Sequence, residues 1–543
     1  MDFKRLFLFL IFSFSALLLW DGWQRNQHPA QQPVAAAKAA AGETAVVTPL
    51  TNETRAKDIE KTVENAGLAQ GKKIVVQTDN LRVEINTLGG DIQRVELLQH
   101  KDAIDKDKPL VLLQQKENHT YVAQTGLIGE NLPTHRTLFT TTSDEYHLVE
   151  GVDTISVRLV ASPSVTKVIT FHRGSYLIDV SYEIINTGAS PLSASAYFQL
   201  VRDEGAPSGD SKLVPTYTGP AIYTDQKKFQ KVEFSSIEKN KADYPKTADN
   251  GWVGMLQHYF VSAWLPADKV MRENYTKSLG NKQYSIGTIL PVGAIAPSQK
   301  GEIGAKLYVG PTTSNLDSIA PGLGLTVDYG WLTIIATPLF WLLTQIQGWV
   351  QNWGLAIIVL TVLIKLAFFP LSAASYRSMA RMRLVAPKLE KIKQQYSDDR
   401  EKLNRAMMEL YKTEKINPLG GCLPMIIQIP VFISLYWAIL SSVELRHAPF
   451  IGWITDLSAA DPYYVLPAIM GISMLIQSKL SPAPPDPLQA KLMQLMPVIF
   501  SVVFFFFPAG LVLYSVVNNV LSITQQWYIT RNQELGQKVA TKL

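Results

Sequence analysis

Cysteine is nearly absent from this 543-residue chain. Cys422 stands alone, which excludes an internal disulfide and any cysteine-cluster metal site. Charge is scarce as well: Asp, Glu, Lys and Arg make up 18% of the residues, and the net charge of +5 gives no reason to expect a specific DNA partner. From Tyr329 to Ile364 there is no charged residue at all, and beyond Lys365 the next is Arg377. Asp and Glu are missing from the apolar runs at about 354–373, 419–441, 462–479, 492–507 and 509–528. A proton pump or coupled antiporter places carboxylates or histidines in such runs. No glycine-rich phosphate loop, metal-ligand cluster or nucleophile elbow occurs, so no catalytic residue, metal or cofactor is assigned.

What is present divides the chain into regions. Lys4 and Arg5 precede an apolar run from Leu6 to Trp20. A cleavable signal peptide is one reading. The lack of a small-x-small cleavage site, and Trp20 and Trp23 at the far end, favour an uncleaved signal-anchor helix over residues 1–23 with its N-terminus inside. Residues 24–72, rich in Ala, Gln, Pro, Thr and Lys without apolar period, read as a flexible tether. Over 73–327 the texture changes to short alternating runs (LRVEIN, TISVRLV, TKVITF, YLIDVSYEI) punctuated by LGGD, SPS, RGS and NTGAS, the pattern of an all-β sandwich.

After Asp328 the chain reads as an α-helical polytopic membrane protein. In 328–352, Thr333, Thr337, Thr344, Gln347 and Gln351 share a helix face and Trp331, Trp341, Trp349 and Trp353 are spread along it, which predicts an interfacial amphipathic helix. Residues 353–530 then hold five spans. The connection 374–418 carries 11 Lys and Arg against 6 Asp and Glu, so the positive-inside rule places it in the cytoplasm. Counting crossings gives six transmembrane helices with both termini cytoplasmic, the β domain outside, and a cytoplasmic tail at 531–543. Stripes at Leu389, Ile392, Tyr396 and at Leu403, Met407, Leu410, Tyr411, separated by Ser397, Asp398 and Asp399, make the basic connection a helical hairpin. Its Arg381, Arg383, Met379 and Met408 are candidate contacts for the ribosome or anionic lipids; plain topology-determining charge is the alternative.

Lys365 is the residue that demands an account. It precedes Arg377 by 12 residues, roughly 18 Å of helix, and placing a cation at such depth costs about 2.5–3.5 kcal/mol. Snorkelling to the interface is one reading. The other is a hydrated groove, lined by Thr361, Gln428, the pair Ser473 and Gln477, and the stripe Tyr514, Asn518, Ser522, Gln525.

Three stretches carry a resemblance: NPLGGCLPMIIQIPVFISLYWAIL (417–440), ELRHAPFIGWITDLSAADPYYVLPAIMG (444–471) and MPVIFSVVFFFFPAGLVLYSVVNN (496–519). The chain resembles the YidC family of membrane-protein insertases of Gram-negative bacteria. The resemblance implies a bacterial inner-membrane protein that inserts nascent membrane proteins, alone or with the Sec translocon, and that is no enzyme. It also implies a groove open to cytoplasm and lipid but closed to the periplasm, and a sugar-mutarotase-like sandwich without that enzyme's activity. Lys365 stands where such proteins usually have arginine, which keeps the charge and loses the planar fork. Thr361 and Gln428 match groove positions. Tyr514 matches the first of two adjacent tyrosines, while Ser515 replaces the second. The apolar part of a substrate is then expected to slide along Ile426, Phe432, Leu435, Met496 and Phe500. Two other readings compete: an anion or solute transporter with a β-sandwich receptor domain, and a tethered periplasmic carbohydrate-active enzyme.

Overall fold

The computed structural model describes residues 71–117, 119–207, 216–313, 315–396, 399–414, 423–480 and 487–540. The expected anchor 1–23, most of the tether, Ser397, Asp398 and Cys422 lie outside these residues. From Lys73 to Pro311 the chain forms two sheets, one of ten strands and one of eight. The alternating runs become strands because period-two patterning lets one face be buried while the other meets water. VTKVITFH (165–172) shows this: Val165, Lys167, Ile169 and Phe171 point inward and the residues between them are half-exposed. In the larger sheet Leu192–Asp203 lies between His119–Ile128 and Gln283–Ile295. In the smaller, Phe260–Pro266, Lys300–Pro311 and Leu177–Ile185 run side by side. Among the described residues every named strand pairing is antiparallel except that of Lys73–Gln77 with Glu145–His147. The core lies between the sheets, where Phe198 of one meets Trp264 of the other at 5.1 Å between ring centroids. Burying each such side chain contributes roughly 1.5–3 kcal/mol.

Three short 3-10 turns lead from Leu316 to Leu332 into the helical half. Its helices are α1 (Thr333–Val350), α2 (Trp353–Ala367), α3 (Phe369–Gln395), α4 (Arg400–Thr413), α5 (Leu423–Ser441), α6 (Val465–Leu480), α7 (Pro487–Phe504) and α8 (Ala509–Ala540). Helix α1 buries Ala336, Phe340, Leu343 and Ile346 and packs on α5 and α2. Its outward face differs from the polar face expected. Ile334 and Trp349, 88% and 90% exposed, are interleaved with Thr333, Thr337 and Thr344. Gln351 ends α1 in the left-handed region, and Asn352 caps α2 by accepting from the Leu355 N–H at 3.0 Å.

The expected continuous span 354–373 is two helices. Pro370 has no N–H to give and restricts the residue before it, so α2 stops at Ala367 and α3 starts anew at Phe369. The pair is bent by 67°. The hairpin therefore begins at Phe369 rather than 374, and Asp399 caps its second arm, α4, by accepting from Glu401 and Lys402. Among the described residues no single helix is long and apolar enough to cross a membrane; the bent pair α2–α3 passes that test together. The two halves are joined beyond the covalent link. Val443 sits in the sandwich core, Arg446 donates to the Lys101 carbonyl at 2.6 Å, and His258 meets the Leu440 carbonyl at 3.1 Å.

Candidate functional site

Lys365 occupies the last turn of α2, two residues before its end at Ala367, and is half-buried. Its Nζ donates to Ser522 Oγ of α8 at 2.7 Å. Ser522 in turn donates to the Asn518 carbonyl at 2.7 Å, so its oxygen is free to accept from the lysine. No ion pair to Lys365 occurs among the described residues. Beside the lysine lies a small cavity of about 20 Å³, enough for one water molecule, between Ile364, Phe368, Ser372, Gln428 and Val431. Its wall is mostly apolar, with Ser372 and Gln428 as the polar side chains beside the lysine.

Gln428 of α5 donates to the Tyr514 hydroxyl of α8 in a short hydrogen bond. Tyr514 is buried and packs at 6.4 Å on Phe432, which also meets Phe504 at 6.3 Å. Gln525 reaches the Phe369 carbonyl at 3.4 Å, at the start of α3 just past the break. Helix α8 thus meets α2 through Ser522 and Lys365, α5 through Tyr514 and Gln428, and α3 through Gln525, while Asn518 takes part only by its backbone carbonyl. Thr361 is a correction: its side chain is fully buried and its hydroxyl is spent on the Ile357 carbonyl at 2.6 Å, so it faces no groove. That back-bond to the preceding turn is the usual resort of a threonine inside an apolar helix.

The other expected contacts also separate. Ile426 and Phe500 are exposed, Met496 and Phe432 half-buried, whereas Leu435 is 2% exposed and belongs to the helical core. Leu435 therefore leaves the list of surface contacts, its face of α5 being the one that packs inward. In the hairpin, Arg381 and Met408 are exposed. Arg383 donates to the Lys479 carbonyl at 3.1 Å, closing the end of α6. Met379 is corrected to packing, against Ala373, Tyr376 and Ile529.

Ser372, which escaped the sequence reading, lines the cavity from α3 on the far side of the break, where the 67° bend rather than helical spacing brings it beside Lys365. A second polar seam joins α8 to α6, where Asn519 donates to Ser473 at 2.7 Å and Gln526 to the Leu480 carbonyl at 3.0 Å. Helix α8 thus carries two polar stripes, one toward the cation and one that fastens its neighbour.

Comparison with known proteins agrees with this architecture. Residues 73–342 match the family model described as the YidC periplasmic domain, and residues 345–537 match that of the 60Kd inner membrane protein. The chain is 55% identical to the membrane protein insertase YidC of Nitrosospira multiformis, over 98% of this chain and 97% of that one. It is 54% identical to the protein of the same name from Methylobacillus flagellatus, over 98% of both. A crystal structure of an active YidC insertase with its first transmembrane domain resolved aligns with 85% of this chain and 95% of its own, at 18% identity and a TM-score of 0.41. With more than half of its residues identical to an insertase from end to end, the chain belongs to the YidC family, inner-membrane insertases of membrane proteins and not enzymes.

Proposed function

We propose that this insertase works through a wet half-groove headed by Lys365 and walled by α2, α3, α5 and α8. A substrate's hydrophilic flank must otherwise cross hydrocarbon, at several kcal/mol per unsatisfied polar group. The observation that carries the reading is the lysine itself: one neutral hydroxyl as partner, beside a cavity with an apolar wall. Such a cation attracts an acidic flank as a point charge, since an ammonium lacks the fork for bidentate capture. Meanwhile the apolar part of the substrate slides past Ile426, Phe432, Met496 and Phe500, with the outward Val498, Ile499 and Val502 beside them.

In this reading the chain crosses the inner membrane six times with both termini cytoplasmic, α1 lies in the outer interface, and the sandwich stands in the periplasm. The hairpin α3–α4 receives nascent membrane proteins from the ribosome at the headgroup surface, and the insertase acts alone or beside the Sec translocon. The test is insertion of a short single-span substrate with an acidic flank into proteoliposomes, using wild type, Lys365→Ala and Lys365→Arg. The reading expects wild type and arginine to insert and alanine to fail. Equal insertion by alanine removes the cation from the mechanism. Flux of a small anion without insertion by any of the three returns the transporter reading.

A further inference from the structure

The stretch DPYYVLP in 461–467 has no part in the groove, yet its first residue is one of the most enclosed acids in the helical half. Asp461 is 1% exposed. Burying a carboxylate costs several kcal/mol unless donors surround it, and here three converge. Trp453 Nε1 and the Tyr463 N–H donate to Oδ1, each at 3.0 Å, and the Leu466 N–H donates to Oδ2 at 2.8 Å. The last of these caps the start of α6. A cap alone requires neither the tryptophan nor near-complete burial. The indole bond ties α6 to the preceding segment, 445–460.

That segment crosses the same-side ends of three helices. The Ala509 N–H donates to the Ala459 carbonyl at 2.7 Å and the Gly510 N–H to the Leu457 carbonyl at 2.9 Å, with an isolated bridge pairing Ala460 and Pro508. These fix it to the start of α8. Asn352 donates to the Phe450 carbonyl at 3.2 Å, and a Cβ on Gly354 would sit 2.1 Å from the Phe450 ring, so the segment also presses onto the start of α2. Asp461 closes the set at α6. The starts of α2, α6 and α8 are the ends remote from Lys365 and Ser522, which lie in the last turn of α2 and more than three turns into α8.

We propose that Asp461 is a positioning residue of the insertase: it latches segment 445–460 as a fixed lid over the outer ends of α2, α6 and α8, so that the membrane stays ion-tight while the inner end of the groove is wet. This rests on the groove reading and adds a residue and a duty to it. The lid stays shut through the cycle, and a substrate leaves sideways into lipid rather than through it.

The experiment measures passive ion flux in proteoliposomes holding the full chain, with an entrapped pH dye. Trp453→Phe removes the indole bond and Asp461→Asn removes the charge that all three donors face, and both are expected to raise flux about tenfold, the scale of losing one bond to a charged acceptor. Ala459 and Ala509 flank the Ala460–Pro508 bridge as a facing pair about 5.5 Å apart, within reach of a disulfide. In an Asp461→Asn, Cys422→Ser background, Ala459→Cys with Ala509→Cys is expected to restore the wild-type flux when oxidised and lose it on reduction. A residue needed only for folding gives no such reversible rescue. Wild-type flux in both single variants, or oxidation without effect, overturns the proposal; if Asp461→Asn does not reconstitute, Trp453→Phe decides. Wild-type insertion is assayed on the same vesicles. Failure there counts against the groove, while the flux results still judge the latch.

Discussion

Arg272 of the sandwich, 3% exposed, donates five hydrogen bonds, all to backbone carbonyls: Val270, Gly251, Pro266, Asp249 and Ala267. Lys167, equally enclosed, gives two to Gly89 and Gly90 and faces the Tyr182 ring, beside an Asp91 carboxyl that burial pushes up and the lysine pulls back. Lys365 in the helical half gives one, to a hydroxyl, with a cavity at its side. The difference teaches how to sort buried cations. Where the carbonyls saturate the charge, the residue is holding the chain together and has nothing left to offer a ligand. Where most of the donor capacity is unspent, the fold is tolerating the charge for something that arrives later.

The comparison breaks most visibly at Arg272. Arg272→Ala strands four to five carbonyls and is expected to cost about 3–5 kcal/mol, lowering the sandwich's melting temperature by roughly 6–15 °C in a calorimetric scan of the full chain. Insertion per folded molecule should be unchanged. Lys365→Met is the mirror case: the same scan should show an unchanged or slightly higher melting temperature, with the insertion rate of an acid-flanked substrate falling on the order of 30-fold, about 2 kcal/mol. If the two substitutions give the same signature, the sorting rule fails.

Acid sharpens the contrast. Burial holds the His100 and His135 imidazoles down, to about 4, with Arg446 repelling the first and Arg136 and Lys167 the second. Their folded values lie below the unfolded 6.5, so the stability they contribute is present above pH 6.5 and is lost as pH falls toward 4, where the unfolded chain takes protons that the folded one refuses. Allowing for partial exposure, the sandwich should lose about 1–2 kcal/mol between pH 7.5 and 5, read as a drop of roughly 2–8 °C. In the helical half burial, and after it Arg446, lowers the His447 imidazole as well, so that half should weaken in the same direction but by less, having one such histidine against two. Smallest is Tyr514→Phe, which removes the Gln428 bond and keeps the ring packing; it is expected to cost about 1 kcal/mol or less and to slow insertion no more than about threefold.

Much of this was legible in the residues. The alternation in TKVITF announced its strand, and the charge vacuum around Lys365 singled that residue out. The stripe from Tyr514 to Gln525 was visible at helical spacing. Less legible was which polar residue a helix keeps for itself. Thr361 shares a face with Lys365, but its hydroxyl is close enough to its own backbone to turn inward, and spacing cannot show that. Leu435 and Met379 illustrate a second limit: periodicity finds an apolar face without saying whether a neighbour or a lipid covers it. Asp461 gave no signal in the sequence because its partners, Trp453 and the start of α6, are set by how the loop folds.

The 67° bend at Phe368 has a mechanical side. Helix α3 is unbroken for 27 residues, about 40 Å, and its pivot lies three residues from Lys365. Ser372, four residues along, sits near the fulcrum; the tip at Gln395 is the long arm. A swing of ~5° carries the tip about 3.5 Å and moves Ser372 only about 0.5 Å. The geometry is that of a reduction gear: a rotation at the break large enough to displace the hairpin's tip would leave the wall beside the lysine almost where it was.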